Sequence, residues 1–273
     1  VILSKPSEPF LSRITIYPVK SLDGMTVQKA VVSEGGCLLH DREFAILDKE
    51  NNFVNGKSNP LVHTLRSSID FKTGMISFRK EGETALNHFS LQQEREAIET
   101  YLSGYFGEPV RFEQNKTGRF MDMPDIGGAT LLSTSSLKSV AEWYHPMHVD
   151  EARKRFRATL EIDGVPAFWE DHLFSIAGKG IEFKVGDVLF IGVSPRERCV
   201  VPSRHPETGK VLHAFPKIFS THRASAQPDW SALDTYGHHY YLTVNCCIPA
   251  TETGKSITTG DRISITGERV FYE

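Results

Sequence analysis

At 273 residues with a formal net charge of -3, the chain can bury one large or two modest cores, and no global field draws it to DNA, RNA or anionic lipid. Apolar residues at 40% and charged residues at 24% are ordinary globular usage, and no apolar run approaches bilayer length. These numbers predict no nucleic-acid partner and no membrane span, and they require any bound anion to be held by a local cluster.

The chain opens with strand signals. Arg13, Ile14, Thr15, Ile16 and Tyr17 alternate polar and apolar residues before Pro18 disfavours further pairing. Residues 27–33 and 43–48 are further β-rich runs, and residues 65–71 and 75–79 flank Lys72-Thr73-Gly74 as a hairpin. Next comes a helix, with Ser90 and Gln93 placed for a capping box, Leu91, Ile98, Tyr101, Leu102 and Tyr105 as its stripe, and Gly107 as its stop. Residues 114–128 have little periodicity and mark a boundary between a first region, 10–113, and a second, 129–272.

The second region starts with a helix near Ser133, Thr134, Ser135 and Ser136, carries Leu137, Val140, Ala141 and Tyr144 on one face, and stops at Pro146. A short basic helix around residues 151–155 leads to a strand over 158–162. Two Gly-Asp turns, Gly186-Asp187 and Gly260-Asp261, each feed an alternating strand, as at the corners of a small barrel. The expected fold is mainly β with a few helices (α+β), built from small β-barrels.

Four candidate chemistries rest on particular residues. Cys199 stands at a predicted strand end beside Arg196 and Arg198, where positive charge favours the thiolate that ligates soft metals; otherwise it is a small buried hydrophobe. Lys20, Ser21, Arg42 and Arg157, with the helix start at Ser133, Thr134 and Ser135, offer an anion cradle, or else ordinary caps and surface charges. His205, His213, His238 and His239 lack any zinc-site spacing, and Glu170-Asp171 reads as a turn more readily than as an acid–base pair. Cys37, Cys199, Cys246 and Cys247 are too few, and two of them too close, for a secreted disulfide framework. A cytoplasmic location is expected, with a trimmed leader left open by the start at Val1.

Taken in order, Tyr17-Pro18-Val19-Lys20-Ser21, His40-Asp41-Arg42-Glu43-Phe44, Arg155-Phe156-Arg157-Ala158-Thr159, Glu170-Asp171, Arg198-Cys199 and Pro206-Glu207-Thr208-Gly209 resemble the MOSC family, in the branch with an N-terminal MOSC β-barrel region. The resemblance implies an N-terminal MOSC region over 10–113, a MOSC domain over 129–272, and the molybdenum cofactor (Mo-molybdopterin) as ligand. It implies Cys199 as the metal ligand and catalytic residue. Lys20, Ser21, Arg42, Ser133, Thr134, Ser135, Arg157, Thr159, Arg198 and His239 are the implied cofactor contacts. Thr159 stands where the family carries Asn, and His238-His239 where the branch more often carries Gln and Tyr. The implied activity is reduction of small N-hydroxylated substrates with a separate electron-donor protein, since no four-cysteine cluster pattern is present. The other readings are a carrier or sulfur-transfer module for the cofactor, and a β-rich domain with a degenerate site.

Overall fold

The computed structural model describes residues 8–117, 119–123 and 126–271; residue 272, the expected end of the second region, lies outside them. Four strands open the chain: β1 (Phe10–Ile16), β2 (Met25–Val27), β3 (Lys29–Ser33) and β4 (Cys37–Leu38). There follow β5 (Phe44–Leu47), β6 (Leu65–Asp70), β7 (Met75–Lys80), β8 (Asn87–Ser90), helix α1 (Arg95–Phe106) and β9 (Arg111–Gln114). The second half holds β10 (Thr130–Ser133), α2 (Thr134–Glu142), α3 (Val149–Phe156), β11 (Leu160–Asp163), β12 (Lys179–Val185) and β13 (Val188–Glu197). It ends with α4 (Phe215–Ser225), β14 (Tyr241–Cys247), β15 (Ser256–Thr258) and β16 (Ile263–Val270). The fold is mainly β with helices, a mixed α+β architecture, as the alternating runs predict.

Local chemistry explains most boundaries. The β6–β7 hairpin turns at Gly74, whose φ of 70° favours glycine. Helix α2 starts where expected, because the Ser133 hydroxyl accepts the Ser136 N–H at 3.0 Å. Helix α1 starts later than expected. The Ser90 N–H donates to the Glu94 carboxylate at 2.7 Å and the Gln93 N–H to the Ser90 hydroxyl at 3.3 Å, so the reciprocal capping pair closes a turn and the helix begins beyond it. Helix α4 was not expected. Its signals are Pro216 in the first turn and the spacing of Phe215, Ile218, Phe219 and His222.

An eight-stranded sheet, in the order β16-β12-β13-β14-β10-β11-β1-β2, carries both halves of the chain. Its ends meet. The Leu11 N–H donates to the Asp261 carbonyl at 2.8 Å, the Gly260 N–H donates to the Leu11 carbonyl at 2.7 Å, and Phe10 bridges Arg262. β15 also pairs with β3. The strands of 10–113 and 129–272 are thus interleaved: Leu11, Ile14 and Val32 pack with Leu131, Phe183 and Phe190 in one barrel core. A second core, with Val19, Leu22, Phe44, Ile46, Phe78 and Leu102, lies under α1, and a third joins α2, α3 and α4 through Leu137, Phe156, Phe215 and Phe219. Gly128 passes so near the Cys246 carbonyl that an added Cβ would lie 1.5 Å from its oxygen. No described helix is long and apolar enough to cross a membrane.

Candidate functional site

The seam between the barrel core and the core under α1 is a cleft of about 810 Å³. Twelve Lys and Arg residues line it against four carboxylates, although the whole chain is acidic by three charges. A cleft with this lining concentrates positive potential and favours anions.

Cys199 reaches the cleft because β13 runs out at Glu197. The Arg198 N–H donates to the Tyr240 carbonyl at 3.0 Å, the Tyr240 hydroxyl donates to the Cys199 carbonyl at 3.2 Å, and the Val201–Ser203 turn containing Pro202 carries the chain back. The thiol-bearing residue is exposed, and no disulfide engages it. Cys246 is the contrast: it is wholly buried, and burial pushes its thiol far up.

Lys20, Ser21, Arg42 and Arg157 line the same cleft. Ser21, Arg42 and Arg157 each hold a positive φ, 72°, 51° and 54°, in the region that side chains rarely adopt. Tyr17 organises two of them, since the Arg42 guanidinium lies 4.6 Å and the Arg157 guanidinium 4.1 Å from its ring centroid. Arg42 also donates to Asp41 at 2.5 Å and to the Thr159 hydroxyl at 3.2 Å, and Asp41 in turn accepts the Tyr17 N–H at 2.8 Å. Thr159 lines a small recess beside the cleft, together with Arg42, Thr130 and Arg196.

The cations differ in their partners. The Lys20 ammonium donates to Asp122 at 2.5 Å and to the Phe120 carbonyl at 2.8 Å, and Arg196 donates to the other Asp122 oxygen at 2.5 Å. Burial pushes the Asp122 carboxyl up, but Lys20 and Arg196 outweigh it and hold that carboxyl well below the usual range. Among the described residues, Arg198 has no such partner. Its Nη2 donates to the Phe156 carbonyl at 3.1 Å, while Nε and Nη1 are buried without an acceptor. Burial and the neighbouring Arg196 bring its guanidinium down to about 10, against an ordinary 12.5. Arg157 is likewise lowered, by burial first and by the neighbouring Arg42, against the opposing pull of Tyr17, Asp23 and Asp122.

Ser133, Thr134, Ser135 and His239 are not among the residues that line the cleft. Ser133 is wholly buried and caps α2, Thr134 donates to Glu161 at 3.0 Å, and Ser135 donates to the Val165 carbonyl at 2.7 Å. That helix start faces the protein, because its hydroxyls serve the adjacent β11 and the turn that follows it. The His239 ring contacts Asp234 at 2.9 Å, and His238 contacts Glu197 at 3.3 Å while stacking on Tyr241. Asp171 forms a buried ion pair with Arg223 at 2.5 Å, beside a buried Glu170 that sits in the turn expected for it. Two participants were missed. Tyr17 belongs to the Tyr17–Ser21 motif but its ring carries no sequence signal of its own, and Asp122 lies in an aperiodic connection where no sequence signal marks it.

Fold and site together define a β-barrel protein with an exposed cysteine in a cationic, anion-receptive cleft. Residues 9–109 match the MOSC N-terminal beta barrel domain, and the resemblance to MOSC proteins is borne out. The curated molybdenum cofactor sulfurase of Oryza sativa subsp. japonica is 22% identical over 251 residues, covering 76% of this chain and 30% of that protein. The molybdenum cofactor sulfurase of Arabidopsis thaliana is 34% identical over 76 residues, covering 27% of this chain and 9% of its own length. The chain therefore spans less than a third of either relative.

Proposed function

We propose that the chain binds the molybdenum cofactor through Cys199 and acts as an oxidoreductase on small N-hydroxylated compounds. The observation that carries the reading is the convergence, in one cleft, of an exposed cysteine, two guanidinium groups with no carboxylate ion pair among the described residues, and Lys20, Ser21 and Arg42. These residues fit the group. A cysteine thiolate suits a soft metal, and the orphaned Arg198 nitrogens call for an acceptor that an anionic cofactor brings. Among the described residues, no three His, Cys, Asp or Glu side chains gather to hold a metal ion, so Cys199 would be the protein's single ligand and the remainder would come from the cofactor.

When bound, the cofactor supplies two-electron oxygen-atom transfer, with electrons from a separate donor protein. The chain's own part is positional. Cys199 fixes one end of the group, Arg198 and Arg157 meet its anionic character, and Lys20, Ser21 and Arg42 hold its phosphate tail. Protein made in a host with intact cofactor synthesis should reduce hydroxylamine-type substrates with a chemical reductant. Inactivity of molybdenum-loaded protein across a broad substrate panel would contradict the reductase.

The names of the curated relatives favour a second reading, a sulfur carrier for the cofactor. On that reading, intact-protein mass spectrometry finds one extra sulfur on Cys199, removable by reductant, and no turnover.

A further inference from the structure

One arm of the cleft has no part in that reading. We propose that Arg204 and Lys57 form a second oxyanion subsite, which takes a carboxylate or phosphate group carried by a ligand in the cleft.

Arg204 follows the Val201–Ser203 turn and crosses the seam between the two cores. Its Nη1 donates to the Gly209 carbonyl and its Nη2 to the Lys57 carbonyl, both at 3.4 Å, and its Nε is buried without an acceptor. Those two long carbonyl contacts orient the guanidinium but leave its charge unmatched. A buried, unsatisfied donor costs about 1–3 kcal/mol, which an incoming acceptor recovers. The neighbouring cations are already neutralised: Arg66 lies 3.2 Å from Asp23 and 3.3 Å from Glu81, and Lys154 lies 2.6 Å from Glu207. Among the described residues, no ion pair joins Arg204 or Lys57 to a carboxylate.

The local field is correspondingly positive. His63 is buried, with its Nε2 on the Gly56 carbonyl at 3.2 Å, and it is held below its ordinary value first by burial and then by Arg204, Arg157 and Arg66. The wall is also firm. Gly209, at a φ of 69°, packs on Pro60 closely enough that an added Cβ would lie 3.1 Å from the Pro60 carbonyl oxygen, and Arg66 donates to the Pro206 carbonyl at 3.4 Å. A guanidinium held only by two long carbonyl contacts can turn them over to an oxyanion, and the exposed residue Lys57, whose carbonyl it touches and which lines the same cleft, adds positive charge.

The test is calorimetric titration of inorganic phosphate into the purified chain, which needs no bound metal. Arg204→Gln should weaken phosphate binding about tenfold, and Lys57→Gln, at an exposed position that leaves packing intact, about threefold. Lys184→Gln, exposed on β12, should leave it unchanged. Displacement of phosphate by acetate would assign the subsite to carboxylate ligands, and its failure to a phosphoryl group. Absence of phosphate binding, or binding that neither the Arg204 nor the Lys57 substitution alters in a protein that still melts normally, overturns the proposal. Unaltered binding would assign the phosphate to Lys20, Ser21 and Arg42 and leave the Cys199 reading standing, whereas loss of molybdenum binding alone would leave this second phosphate site in place.

Discussion

Lys20 and Arg42, and Arg157 and Arg198, all line the cleft as half-buried or buried cations, yet they differ in what balances their charge. The first two hold carboxylates at 2.5 Å, Asp122 and Asp41. Among the described residues the other two hold none; burial depresses both, as it does Lys20 despite Asp122, whereas Arg42, against its burial, is raised by Asp41. Matched cations contribute to the fold and must share or shed a partner before they grip a ligand. Unmatched cations cost stability and are ready to bind. The same division recurs among buried acids, where Asp171 is paired with Arg223 at 2.5 Å and its neighbour Glu170 has no cation.

The largest effect is expected where a matched pair is broken. Arg42→Met leaves the Asp41 carboxylate, 1% exposed, with little beyond the Tyr17 N–H, and should destabilise the chain by about 3–5 kcal/mol in chemical denaturation. A loss below about 1 kcal/mol would erase the distinction. Glu170→Gln comes next. Burial, aided by Asp171, raises the Glu170 carboxyl from its ordinary 4.5 to about 7, so the folded chain keeps a proton there that the unfolded chain has lost. That stability is full below about pH 4.5 and is lost as pH rises through 7. The Gln variant should therefore flatten this slope and be more stable than the parent at pH 8, by up to about 3 kcal/mol.

Arg198→Met should act with the opposite sign to Arg42→Met. Removing an unmatched, buried cation beside the Phe156 ring should leave stability unchanged or raise it by about 1 kcal/mol, while weakening anion binding. A clear destabilisation would mean that Arg198 is structural. The smallest effect is expected from Asp122→Asn, the carboxylate shared by Lys20 and Arg196. In the Arg204→Gln background, where the second subsite is weakened, it should raise affinity for inorganic phosphate at Lys20 and Arg196 roughly threefold, measured by titration at low salt.

Periodicity made the barrel strands, the β6–β7 hairpin and α2 legible, because alternation, turn residues and a serine cap act over a few neighbours. Interleaving was not legible: the pairing of β1 with β11 joins residues about 150 apart, and nothing local in Leu11 or Ile14 says which half they serve. Within the site, Cys199, Lys20, Ser21, Arg42, Arg157 and Arg198 could be found by residue type and motif order. The α2 start was overread, since hydroxyls suited to phosphate are equally suited to a cap, and only burial separates the two uses. Asp122 and the two-sided role of Tyr17 depend on tertiary approach, which leaves no trace in spacing.

Molybdenum content, measured by elemental analysis of protein made in a cofactor-competent host, bears most directly on Cys199. The wild-type chain should carry close to one molybdenum, and Cys199→Ser should fall at least tenfold while melting normally. A wild-type protein free of molybdenum, or a Ser variant that keeps it, would contradict the assignment.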